Sequence, residues 1–213
     1  MRRRTFLGTA LAIANASTGF AALREKRWDD AAEVLERATA AKQVQAAVLH
    51  VVQGGASFTA HFGTAASGDA MFLLGSISKP INVTAFMTLF DQGQFQLADR
   101  VKKFLPAFTG DGRDDVTIRH LLTHTSGLPD QLINNNALRK KHASLREFAE
   151  HSTRASLDFA PGARYQYSSM GILLAARIGE CLGGSDMLTL VDRNVFQPLG
   201  MKHSAQGLGP FKM

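Results

Sequence analysis

A chain of 213 residues with 45% hydrophobic and 20% charged content has enough apolar side chain for one sizeable core and is short for two independent ones. Its formal charge of +6 reflects 24 basic against 18 acidic residues, but removing an N-terminal segment with Arg2, Arg3 and Arg4 leaves 21 against 18, a net +3. That balance, a single basic run without interleaved aromatics (Arg139-Lys140-Lys141-His142) and the lack of any fixed-period repeat argue against a nucleic-acid partner, disorder and a solenoid.

Residues 1–22 read as an export signal: three arginines, an apolar stretch from Phe6 to Ile13, and the small-x-small pattern Ala14-Asn15-Ala16. Arg3-Arg4-Thr5-Phe6-Leu7 also has the twin-arginine form, so the expected location is the bacterial periplasm or the exterior. No segment reaches the ~20 apolar residues of a spanning helix, so no stable membrane span is expected. Residues 23–213 then form the folded domain.

Asp29 to Ala41 has helical spacing, and Val44 to Val52 turns β-like ahead of Gly54-Gly55, with Ala56 to Phe62 pairing back as a hairpin. A small-residue loop follows. Met71 to Leu74 reads as a short apolar strand ending at Gly75, and an apolar helix runs from about Ser76 to Phe90. Leu97 to Phe104 is expected to be a short helix stopped by Pro106. Val116 to Leu122 feeds the turn His124-Thr125-Ser126-Gly127-Leu128-Pro129, and Ser144 caps a helix that runs to Arg154. Pro161-Gly162 leads to Tyr165-Gln166-Tyr167-Ser168-Ser169, then helices cover Met170 to Leu182 and Ser185 to Phe196. Cys181, the single cysteine, sits in an apolar stretch and reads as a core residue. A lone hairpin is marginal and leaves unpaired edges, so either further strands of a longer parent or a partner should complete the sheet; the open edge offers a route to a homo-oligomer.

Ser76-Ile77-Ser78-Lys79 places a hydroxyl and an amine one helical turn apart on one face. Serine becomes a competent nucleophile when an adjacent base takes its proton. A lysine serves as that base only where burial and a polar network supply about 4 kcal/mol against its charged form. Four letters alone are a weak signal, but here they open an apolar helix, where free backbone N–H groups can stabilise an oxyanion. The seven histidines offer no H-x-H or H-E-x-x-H pattern, and His120 with His124 lacks a third ligand, so neither metal nor cofactor is expected.

The segment Phe72-Leu73-Leu74-Gly75-Ser76-Ile77-Ser78-Lys79-Pro80 resembles the active-site segment of the class C β-lactamase-like family, which includes penicillin-binding proteins, D-aminopeptidases and family VIII esterases. Leu121 to Pro129 resembles its Leu-Leu-x-His-x-Ser-Gly turn, and Phe196-Gln197-Pro198-Leu199-Gly200-Met201 its Phe-x-Pro-Leu-Gly-Met segment. The resemblance implies an α+β fold with an antiparallel sheet flanked by a mostly helical region, the sheet being incomplete here. It also implies that Tyr167 is the catalytic tyrosine that relays protons, with Tyr165 as packing. Ser169 stands where the β-lactamases have Asn, a substrate-binding position, and a hydroxyl cannot make the amide's two-ended contact. This favours ester hydrolysis. The family's third motif, Lys/His-x-Gly, lies beyond Met201 and is missing before Met213, so a C-terminally truncated domain is expected. That strand supplies the second oxyanion amide, and losing one such donor costs ~10²- to 10³-fold.

The expected function is a serine hydrolase that acylates Ser76, with Lys79 as base and Tyr167 as relay, on small esters, β-lactams or D-amino-acid amides. The alternative is an inactive fragment that binds peptidoglycan-type ligands or a partner chain.

Overall fold

In the computed structural model, which describes residues 27–207, the hairpin expected around Gly54-Gly55 is present. The proposed export signal lies outside the described residues. The chain divides into two compact units at Phe72–Leu73.

In the first unit, helix α1 (residues 27–40) precedes strands β1 (Ala46–Gln53) and β2 (Ala56–Gly63). They pair antiparallel from Ala46 opposite Gly63 to Gln53 opposite Ala56. Alternation decides the faces: Phe58, Ala60 and Phe62 are half-buried on one side of β2, and Thr59 and His61 are exposed on the other. The Trp28 ring of α1 lies 5.9 Å from Phe58 on the apolar side. His50 Nδ1 and Thr59 Oγ1, a cross-strand pair, meet at 2.8 Å on the polar side. Among the described residues the sheet has these two strands.

The second unit is helical. It contains α2 (Ser78–Asp91), α3 (Ile118–Leu122), α4 (Asn135–Lys140), α5 (Leu145–Ser152), α6 (Ser169–Gly183) and α7 (Met187–Val191). Helix α6 is its centre and touches α2, α3, α5 and α7. Its apolar face carries Met170, Leu174 and Ile178 into a core with Phe86, Leu89, Phe95, Phe108, Ile118, Leu121 and Leu128. The Phe86 and Phe95 rings stack at 4.4 Å. At the far side of α6, Ala176 meets Ala85, Leu190, Val191 and Phe196. The loop before α3 is held by Arg113, a buried guanidinium that donates to the carbonyls of Thr109 and Ala155.

Several elements differ from the sequence reading. Residues 71–74 form no strand. The helix expected over Leu97–Phe104 is reduced to a single 3₁₀ turn, Val101–Lys103, because its backbone bonds sideways. Val101 N donates to Val116 O, Ile118 N to Asp99 O and Arg119 N to Leu97 O, and Arg100 bridges Thr117. The last helix starts at Met187, where Asp186 accepts the Thr189 N–H as its cap, and widens to a π-turn at Asp192–Phe196. Helix α4 had no sequence signal. Cys181 is exposed, not in the core, since it lies beyond Gly179, the last buried position of α6. Ser144 caps α5 as expected, accepting the Glu147 N–H.

Candidate active site

Ser76 lies one turn ahead of α2, in a 3₁₀ turn (Gly75–Ile77) that runs directly into the helix. The chain enters this turn through Gly75 at φ +53°, a left-handed conformation that an L side chain resists. Neither the 3₁₀ turn nor α2 has a side-chain cap at its N-terminus. The Ser76 N–H is therefore in a first turn with no helical carbonyl to accept it.

Lys79 follows one turn later, and its Nζ donates to Ser76 Oγ at 2.9 Å. Tyr167, 91 residues further along the chain, also reaches this oxygen: its OH donates to Ser76 Oγ at 2.9 Å. Lys79 Nζ sits 5.2 Å from the centre of the Tyr167 ring. The hydrogen bond from Lys79 is the largest influence holding the Tyr167 phenol below its ordinary pKa, and the bond to Ser76 adds to it. The structure thus gathers Ser76, Lys79 and Tyr167 around one oxygen.

Ser169 opens α6 and stands apart from that oxygen's partners. Its backbone N–H donates to Asp130 Oδ1 at 2.8 Å, and its hydroxyl also bonds the carboxylate. Burial would raise the Asp130 pKa, but these two bonds and the nearby Lys79 ammonium outweigh it and hold the carboxyl below the usual range. Behind Ser169 and Asp130 runs a groove of about 300 Å³, walled by Leu132, Phe148 and Leu173 with Arg139 among its lining residues. Tyr165 is not a packing residue: it is 66% exposed, edge-on to the His124 ring at 5.9 Å.

Two residues of this site were missed in the sequence. Asp130 carries no motif of its own. His124 reads in the sequence only as part of a turn, yet its ring stacks on Tyr167 at 4.7 Å and its Nδ1 accepts the Ser168 N–H at 3.1 Å. Its signal was present: a non-glycine residue in a Thr-His-Thr-Ser-Gly turn, here at φ +56°. Around Ser76, Leu73 is 93% exposed and Ile77 62% exposed. The site is open on that side.

Comparison with known proteins places the chain in a family. The chain is 36% identical over 149 residues to esterase EstB of Burkholderia gladioli, covering 63% of this chain and 38% of the esterase. It is 33% identical over 140 residues to penicillin-binding protein 4* of Bacillus subtilis (strain 168), covering 64% and 30% respectively. The chain therefore spans less than two fifths of these relatives' length. A crystal structure of a D-stereospecific amidohydrolase from Streptomyces sp. superposes with a TM-score of 0.71 at 26% identity, over 81% of this chain and 55% of that one. The fold is that of the β-lactamase/transpeptidase-like proteins, an α+β arrangement. The β-lactamase family profile matches residues 31–212, and the chain belongs to that family of serine hydrolases.

Proposed function

We propose that this chain carries the acylation half of a β-lactamase-like serine hydrolase. The observation that carries the reading is the convergence of Lys79 Nζ and Tyr167 OH on Ser76 Oγ, each at 2.9 Å. Once Lys79 Nζ has given up a proton and stands as the neutral amine, Ser76 Oγ attacks the substrate carbonyl and passes its proton to that amine, and the new C–O bond leaves a tetrahedral oxyanion near the Ser76 N–H. Tyr167, bonded to Ser76 Oγ with Lys79 Nζ beside its ring, relays the proton to the leaving group as the old bond breaks. Water then reverses the sequence on the acyl-enzyme. The reaction needs no metal or cofactor.

Small esters are the favoured substrates, ahead of β-lactams and D-amino-acid amides. The Ser169 hydroxyl, placed against Asp130, spends its single donor on the carboxylate and keeps only acceptor capacity, so it cannot donate to a substrate amide carbonyl as an Asn amide would. Ser169 then borders the acyl group, for which the groove behind it provides apolar walls. The relatives named for esterase and penicillin-binding activities support this class, and the N-terminal sequence supports export to the periplasm or exterior.

A second reading, an inactive fragment that binds peptidoglycan-type ligands or a partner chain, is favoured by the exposure of Leu73 and Ile77 beside Ser76. Intact-mass spectrometry separates the two. A folded chain treated with a fluorophosphonate or a penicillin should gain one adduct, absent in Ser76→Ala. No adduct on a folded chain would reject the hydrolase reading in favour of the fragment.

A further inference from the structure

His124 touches the segment around Tyr167 in three ways. Its carbonyl accepts the Gln166 N–H at 2.9 Å, its Nδ1 accepts the Ser168 N–H at 3.1 Å, and its ring lies on the Tyr167 ring at 4.7 Å and 29°. The residues on both sides of Tyr167 are therefore bonded to the same histidine that packs its ring. A non-glycine residue held at φ +56° is strained, so the turn maintains this contact against a conformational cost.

We infer that His124, as the neutral imidazole, is the positioning residue for Tyr167. An Nδ1 that accepts an amide N–H carries no proton, so Nε2 carries it. Protonation at Nδ1 would evict the Ser168 N–H and place an imidazolium against the Tyr167 ring. The groups that face this ring are Lys79 from α2, Asp130 from the following loop, and Tyr165 and Tyr167 from the segment before α6. Burial lowers the His124 pKa most and the Lys79 ammonium adds to it, while a backbone bond at Ser168 and, more weakly, Asp130 oppose them, and the net direction is down. The imidazole is then neutral at pH 7, and acid releases its hold. For its kinetic consequence the inference rests on the hydrolase reading; for its geometry it does not.

The chain has two tyrosines, so ¹³Cζ-tyrosine NMR of the full-length protein resolves Tyr167, assigned by Tyr167→Phe. Expected are a Tyr167 titration below that of a free phenol and a second inflection of the same resonance below pH 6.5 as His124 protonates. In His124→Asn the low-pH inflection should vanish and the phenol titration should move up towards that of free tyrosine. Asn tolerates the left-handed backbone and can offer an acceptor to Ser168, so the variant chiefly removes the stacked ring. Acylation by an ester with a poor leaving group should fall about 10²-fold, as expected for a displaced catalytic group, and less with an activated ester. An unchanged Tyr167 titration in His124→Asn would overturn the inference, as would the absence of a low-pH inflection in the unmodified chain, which decides the matter even where the variant does not fold. Failure of Ser76 to acylate while Tyr167 still reports His124 would reject the hydrolase reading alone.

Discussion

Gly127 stands where the turn after α3 meets the segment that leads to Tyr167, and Gly127→Ala tests how tightly these are locked. The residue sits at φ +82°, and a Cβ there would lie 2.2 Å from the Phe159 carbonyl oxygen and 3.2 Å from Leu157 Cβ. The left-handed conformation costs an alanine about 1–2 kcal/mol. Pushing a backbone carbonyl out of contact adds the roughly 1–3 kcal/mol typical of overpacking. The neighbour cannot shift freely, because Asp158 N donates to Gly127 O at 2.7 Å and Gly162 N to Thr125 O at 2.8 Å. The expected loss is about 3 kcal/mol, or a fall in Tm of roughly 6–12 °C for a domain of this size. Gly184→Ala is the control: it has φ +65° with nothing within 4 Å of its Cβ, so only the conformational part, about 1–2 kcal/mol, should be lost. Thermal and urea unfolding of both variants would measure the difference. Equal losses would refute the close-approach argument and leave only backbone strain.

Phe86 is fully buried with its ring stacked 4.4 Å from Phe95, and Phe86→Ala should lower stability by about 3–5 kcal/mol, measured as a shift in urea midpoint. Asp114 accepts bonds from Lys102 Nζ, Thr109 Oγ1 and Gly110 N, which hold its carboxyl far below the usual range. A depressed folded-state pKa gives stability that is present above the ordinary carboxylate value of about 3.9 and lost as pH falls through the folded value. The advantage of the unmodified chain over Asp114→Asn should therefore shrink in acid, and a pH-independent difference would exclude the carboxylate as its source. Cys181, exposed on α6, should react with a disulfide reagent in the native state at one thiol per chain, whereas a thiol that reacts only after denaturation would contradict its placement.

What the sequence revealed was local or motif-borne. The hairpin was legible because Gly54-Gly55 separates two alternating runs, and α6 because an apolar period runs into Gly183-Gly184. Ser76 and Lys79 were legible as neighbours because helix geometry alone places residues three apart on one face. The sideways bonding of residues 97–101 to 116–119 was not legible, since no local propensity encodes a partner that distant in the chain. The environment of Cys181 depended on where α6 outruns its neighbours, which is a tertiary fact. Residue type alone showed neither that the Ser169 hydroxyl faces Asp130 nor that His124 covers Tyr167; both follow from how the turn after α3 folds back against the start of α6.

The pairing of α2 with α6 explains why two motifs 91 residues apart converge. Ser76 meets Tyr167 ahead of the two helices, and further along Phe86 lies against Gly179, where a Cβ would come within 3.2 Å of its ring. Both contacts advance in the same direction along the chain, so α2 and α6 run side by side with their N-termini at one end. The two ends are treated differently. At α6, Ser168 Oγ accepts the Gly171 N–H at 3.0 Å and Asp130 accepts the Ser169 N–H, so the free amides there are already satisfied. At α2 no side chain performs that service: the Ile77 and Ser78 N–H groups bond the carbonyls of Leu74 and Gly75, while the Ser76 N–H sits in the first turn ahead of any helical carbonyl. Under the proposed chemistry that asymmetry has a use: negative charge that develops at the Ser76 carbonyl adduct finds the uncapped helix, with the positive end of its dipole. A carboxylate introduced as a cap at Leu74 would compete for the Ser76 N–H, and it should slow acylation of Ser76, followed by intact mass, even as it stabilises the turn that opens the helix.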